Sequence, residues 1–218
     1  MGEAKKRGTR EDRIAKAQQT VFTNKNPKSL TKKQIVRGLP YLERVDYLAS
    51  KLTTHFEVDH RITEFLKKIS DEQPILLKCS PEPWSRQSCC DLNVQEYIQQ
   101  HGGRSLFGYK IWYHKDLYAE CERHAVWTDE ENIRDISFVD TGENYIIFVP
   151  DKHSFDDRPD IIRHAFEKDD KKALAFFEQI AKSSPPRKML PDEAWRTMLT
   201  YERWLQGERM DNLIVTRK

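Results

Sequence analysis

Three residues of this chain have the types and the order that nucleophilic chemistry needs: Cys90, His124 and Asp135. Cys90 opens a stretch that reads as a helix to Gln100, stopped by Gly102-Gly103. A thiol at a helix N-terminus is favoured as thiolate by the helix dipole. His124 falls in a strand-like run and can take the thiol proton. Asp135 falls in the next run and can fix the imidazole tautomer. Nucleophile, base and orienting acid are the roles that cysteine catalysis requires. Each residue alone also has an ordinary role open to it, as a small buried thiol, a backbone-bonded histidine or a turn aspartate. Their joint order is what points to chemistry. Cys89 is a competing thiol, but Asn93 lies one turn after Cys90 and should share its face, which favours Cys90.

Elements must position these groups. Ile35, Leu39, Leu42, Val45 and Leu48 recur at helical spacing behind Thr31-Lys-Lys-Gln34, which has the form of a capping box. Pro40 should kink that helix or divide it. Phe56, Ile62, Phe65, Leu66 and Ile69 mark the buried side of a second helix. Residues 74–79 read as a short strand, with helix as the alternative, and Pro81 and Pro83 force a loop. Four further strands are expected at 105–114, 117–127, 133–138 and 145–149, close enough together for antiparallel pairing. Beyond Pro150 the chain should turn helical. Asp160 can cap 161–166, a helix follows at 171–182, and a last one carries Trp195, Leu199 and Trp204. Residues 212–218 read as an edge strand or a tail.

The expected fold is therefore α+β. An antiparallel sheet of about four to five strands lies within 74–150, with the Cys-bearing helix packed on it and helices before and after. The expected divisions are a basic, flexible arm at 1–28, a helical segment at 29–73, the α+β core at 74–150 and a helical segment at 151–218.

The 218 residues are 11% aromatic, which excludes wholesale disorder. No window approaches a membrane span, and the N-terminus has no apolar stretch of the secretory kind. Four cysteines do not make a disulfide framework at this length and read as thiols of a reducing, cytoplasmic compartment. Residues 1–40 hold 11 Lys/Arg against 3 Asp/Glu, and the remainder 26 against 32. A basic arm on a mildly acidic body can reach nucleic acid or an acidic partner. Cys121 and His124 have a metal-ligand spacing, but positions three apart on a strand face opposite ways and no Cys-x-x-Cys is present, so no metal is expected. No phosphate loop, dinucleotide fingerprint or zinc-deaminase signature occurs, so no cofactor is expected.

The order Cys90, Gly102-Gly103-Arg104, His124-Ala-Val-Trp127 and Asp135-Ile-Ser137 resembles the papain-like fold, and within it the transglutaminase-like branch. The resemblance spans about 50 residues. It also covers an uncharacterised set of bacterial and phage sequences with a Cys-x-x-Asn-Val helix and a His-Ala-Val-Trp strand. The chain departs from the branch's His-Ala-Trp by one residue, and from its Asp-Pro-Thr at Asp135-Ile136-Ser137. The resemblance implies Cys90 as nucleophile, His124 as base and Asp135 as orienting acid. It implies that Gln87, upstream in the Pro-bounded loop, donates its amide to the developing oxyanion, with the Cys90 or Asp91 amide as second donor. Trp84, Asn93 and Trp112 are then candidates for the cleft, along with Tyr109. The expected function is cysteine acyl transfer on a protein or peptide amide, as hydrolase, deamidase or transferase. The alternative is a non-catalytic interaction or nucleic-acid-associated protein on the same fold, binding through its arm or its C-terminal helices.

Overall fold

The structure is a computed structural model and describes residues 32–54, 59–115, 117–183 and 189–210. The basic arm, Thr31 of the capping box, Phe56 and the segment from 212 onward lie outside the described residues. Helix α1 (Lys32–Ser50) runs unbroken through Pro40, so the proline does not divide it. Its Leu48 and Ala49 pack against Leu174 of α4 (Lys168–Ser183), and Arg44 binds Asp170 at 2.7 Å across the pair. Helix α2 (His60–Leu66) starts where the Asp59 carboxylate accepts the Ile62 amide at 2.9 Å.

The strands are β1 (Ile75–Lys78), β2 (Arg104–His114), β3 (Tyr118–Thr128), β4 (Ile133–Arg134), β5 (Tyr145–Pro150) and β6 (Ile161–Ala165). They form one six-stranded sheet in the order β1-β5-β2-β3-β4, with β6 also on β3, and every pairing is antiparallel. Since β2 fills one edge of β3 along its whole length, β4 and β6 share the other edge. β6 covers 118–122 and β4 covers 127–128.

Three expectations are corrected. Residues 161–165 are a strand rather than an Asp160-capped helix, which takes the sheet to six strands and beyond residue 150. Its Ile161, Ile162 and Ala165 gain a ladder with β3 that an isolated helix of this length could not match. The strand expected at 133–138 is only β4, because from Asp135 on the chain leaves the β3 ladder and Phe138 packs on Tyr201 and Trp204. The last helix breaks into α5 (Pro191–Thr197) and α6 (Tyr201–Leu205), with Met198 extended between them.

Alternate residues of β2 and β3 face opposite ways. On one face Tyr109, Ile111, Tyr113 and Cys121 pack under Ile62, Phe65 and Leu66 of α2. Further along that face Ala125 and Trp127 receive Val94 and Tyr97 of α3 (Cys90–His101). The other face carries Val126, Ile146 and Phe148 with Leu77, and beside them a row of polar groups that includes His124. No described helix is long and apolar enough to cross a membrane.

Candidate active site

The loop before Cys90 is fixed by its own backbone. Asn93 of α3 reaches back to it, accepting the Arg86 amide at 2.7 Å and donating to the Arg86 carbonyl at 2.9 Å. The Ser85 hydroxyl donates to the Ile136 carbonyl at 2.6 Å. The Gln87 amide donates to the Leu199 carbonyl, and the Tyr201 amide to that of Ser85. Ser88 then takes a left-handed φ of 57°, a conformation that costs a non-glycine residue energy, just before the two cysteines. The turn sends the thiols apart. Cys89 is fully buried against Ala194 and Met198, while Cys90 joins Val94, Tyr97 and Ala125 over the sheet.

His124 projects from the opposite face of β3, 3% exposed. Its Nε2 lies 3.2 Å from Asp135 Oδ1. The same oxygen accepts the Ser137 amide at 2.9 Å, which orients the carboxylate. A carboxylate at Nε2 makes that nitrogen the N–H and leaves the Nδ1 lone pair as the basic site. Gly108 stands opposite His124 in β2, where a Cβ would meet the Val149 carbonyl at 2.1 Å, so only glycine lets β5 close over this position.

The Cys90 sulfur is embedded, and burial pushes its thiol up to about 12. The Ala125 amide and Lys110 act against the rise, whereas Glu122 and Asp135 add to it. Desolvation thus overrides the helix-terminus effect, and the resting group is a thiol rather than the expected thiolate. The residue itself remains only partly buried. Among the described residues no hydrogen bond joins Cys90 to His124. Cys79, beside Asp135 in an isolated bridge, is also raised to about 12 by burial and by that carboxylate.

A second polar group lies next to His124. Lys110 and Glu122 are cross-strand partners in β2 and β3, joined at 3.1 Å, and the Trp112 indole donates to the same Glu122 oxygen at 2.6 Å. Burial alone would raise Glu122, but Lys110 and Trp112 hold it below the usual glutamate range. Sequence reasoning missed Lys110 and Glu122. The signal was their spacing of two from Trp112 and His124.

The accessory residues divide. Trp112 does stand in the polar row. Trp84 packs in the Cys90 cluster and tilts against Trp195 at 6.2 Å. Asn93 is a fully buried clamp on the loop, not a cleft group. The Gln87 side-chain amide donates to the Met210 carbonyl at 3.3 Å, which commits one of its two hydrogens away from Cys90. Tyr109 is on the α2 face of the sheet, where its hydroxyl donates to the Pro159 carbonyl. A cavity of about 540 Å³ lies across β2, lined in part by Arg104, Ser105, Phe107, Lys152 and His153, and holds none of Cys90, His124 and Asp135. Among the described residues no group of three His, Cys, Asp or Glu side chains is placed to hold a metal ion.

Set against protein-family models, curated proteins and solved structures, the chain matches none.

Proposed function

We propose that this protein is a cysteine acyl-transfer enzyme acting on an amide or related acyl bond, of papain-like or transglutaminase-like kind. The observation that carries the reading is the His124–Asp135 pair, almost fully buried, whose Asp135 charge reaches the Cys90 thiol. Since the resting sulfur is protonated, the proton leaves during attack. Sγ forms a bond to the acyl carbon while its proton passes to His124 Nδ1, and the carbonyl electron pair moves onto oxygen. Asp135 stabilises the imidazolium through Nε2. The main-chain amides at the start of α3 are the donors assigned to the oxyanion. Collapse breaks the bond to the leaving amine, which takes the proton from His124. Water or a second amine then gives its proton to His124 and cleaves the thioester, returning Cys90.

One observation favours the non-catalytic alternative, namely a raised thiol without a bond to His124. Treatment with a small activated ester, followed by mass spectrometry of each cysteine, separates the two readings. Catalysis predicts acylation at Cys90 ahead of Cys79, Cys89 and Cys121, and its loss in His124→Ala. Acylation of Cys90 no faster than of Cys89, or indifferent to His124→Ala, overturns the enzyme.

A further inference from the structure

We infer that the main-chain N–H of Ala125 is a catalytic group, donating to the Cys90 sulfur and holding the negative charge when the thiolate forms. This rests on Cys90 being the nucleophile. Amides along a strand point alternately to its two edges. The Arg123 amide points away from β2, because it donates to the Asp160 carbonyl at 2.8 Å. Two residues on, the Ala125 amide points the same way. There it meets no strand, since β6 ends its pairing at Glu122 and β4 begins at Trp127. Ala125 is fully buried, neither β4 nor β6 pairs with it, and no loop carbonyl among the described residues takes its N–H.

A buried amide seldom goes without an acceptor. Cys90, at the first position of α3, packs on the cluster that holds Ala125 and is the member of it with an acceptor in its side chain and the Ala125 amide among its partners. The Ala125 amide is also what opposes burial most in setting the thiol's acidity. The dipeptide His124-Ala125 therefore serves the sulfur twice. One residue sends an imidazole to one face of the sheet, and the next sends an N–H out of its edge. When the sulfur gives its proton to His124 Nδ1, the bond from Ala125 becomes charge-assisted and strengthens. When the sulfur becomes a neutral thioester the bond weakens, so the same amide favours release of the thiolate in deacylation.

The test is nuclear magnetic resonance of the isotope-labelled full chain. The Ala125 amide proton should shift with ionisation of Cys90, and its exchange with solvent should speed up by about tenfold or more in Cys90→Ala. Ala125→Pro, which removes the N–H without removing a ladder bond to β2, should slow alkylation of Cys90 by about tenfold, while Ala125→Gly should not. If the proline variant fails to fold, the exchange measurement on Cys90→Ala still decides. An amide whose shift and exchange ignore Cys90→Ala overturns the inference. Acylation at Cys90 with such an indifferent amide overturns it alone. A responding amide with no acylation sinks the enzyme reading and leaves the hydrogen bond standing.

Discussion

Arg123 and His124 are neighbours in β3, face opposite ways, and each is buried against an aspartate. The two pairs are built differently. Arg123 binds Asp151 through two nitrogens, at 2.6 and 3.2 Å, and spends its remaining donors on the carbonyls of Gly108, His153, Ser154 and Phe155. His124 has one contact at 3.2 Å, and its Nδ1 makes no hydrogen bond among the described residues. A saturated pair has nothing left to offer a ligand and serves as a fastener, here for the 151–155 loop. A half-used pair holds a basic nitrogen in reserve. The contrast separates a pair whose hydrogen-bonding capacity is used up from one that keeps a ring nitrogen unused.

The widest separation between the two sides should come from removing their cations. Arg123→Ala leaves Asp151 charged and dry and should cost about 3–5 kcal/mol in denaturant unfolding. A loss below about 1 kcal/mol would erase the contrast. At the proposed nucleophile, Cys90→Ala should lower any acyl-transfer rate by about 10³-fold or more with little change in melting temperature. Cys89→Ala, which opens space beside Met198, should instead cost about 1 kcal/mol of stability and keep the activity. Should Cys89→Ala silence the protein, the assignment of the two thiols is reversed.

A smaller effect concerns the imidazole and its acid. At pH 8 Cys90 should alkylate faster than the other thiols, and His124→Ala should slow it more than Asp135→Asn does, since Asp135 orients rather than accepts the proton. Equal effects would mean that the pair acts as a structural unit, like Arg123–Asp151. The smallest effect is expected at Glu122. Its folded value lies below its unfolded one, so its contribution to stability is full above the ordinary glutamate range and is lost as pH falls through the lowered value. Unfolding free energies of wild type and Glu122→Gln should therefore differ at neutral pH and converge in acid. A gap that persists in acid would show that Glu122 acts through packing.

The helix start at Cys90 and the strand of His124 were legible from strong patterns, whereas Asp135 lies just past the two-residue β4. The turn that separates the two thiols was legible only through Asn93, and for a different reason than its face. Asn93 marks the loop it clamps. Lys110 and Glu122 escaped notice because charged residues alternating along a strand look like a solvated face, and only the register of β2 on β3 pairs them. The bond of Gln87 to Met210 was not legible because its acceptor is 123 residues away. Residues 161–165 carry apolar residues compatible with either period, and the open edge of β3 decides for strand.

The loop that presents Cys90 is stitched to residues 199–202 through the Leu199 carbonyl, the Thr200 bridge and the amides of Tyr201 and Glu202. During synthesis the chain emerges N-terminus first. The sheet, the helix of Cys90 and the His124–Asp135 pair can all assemble while that loop still lacks its anchor. A nascent chain thus carries Cys90 for more than a hundred residues before the contacts that seat its loop can form.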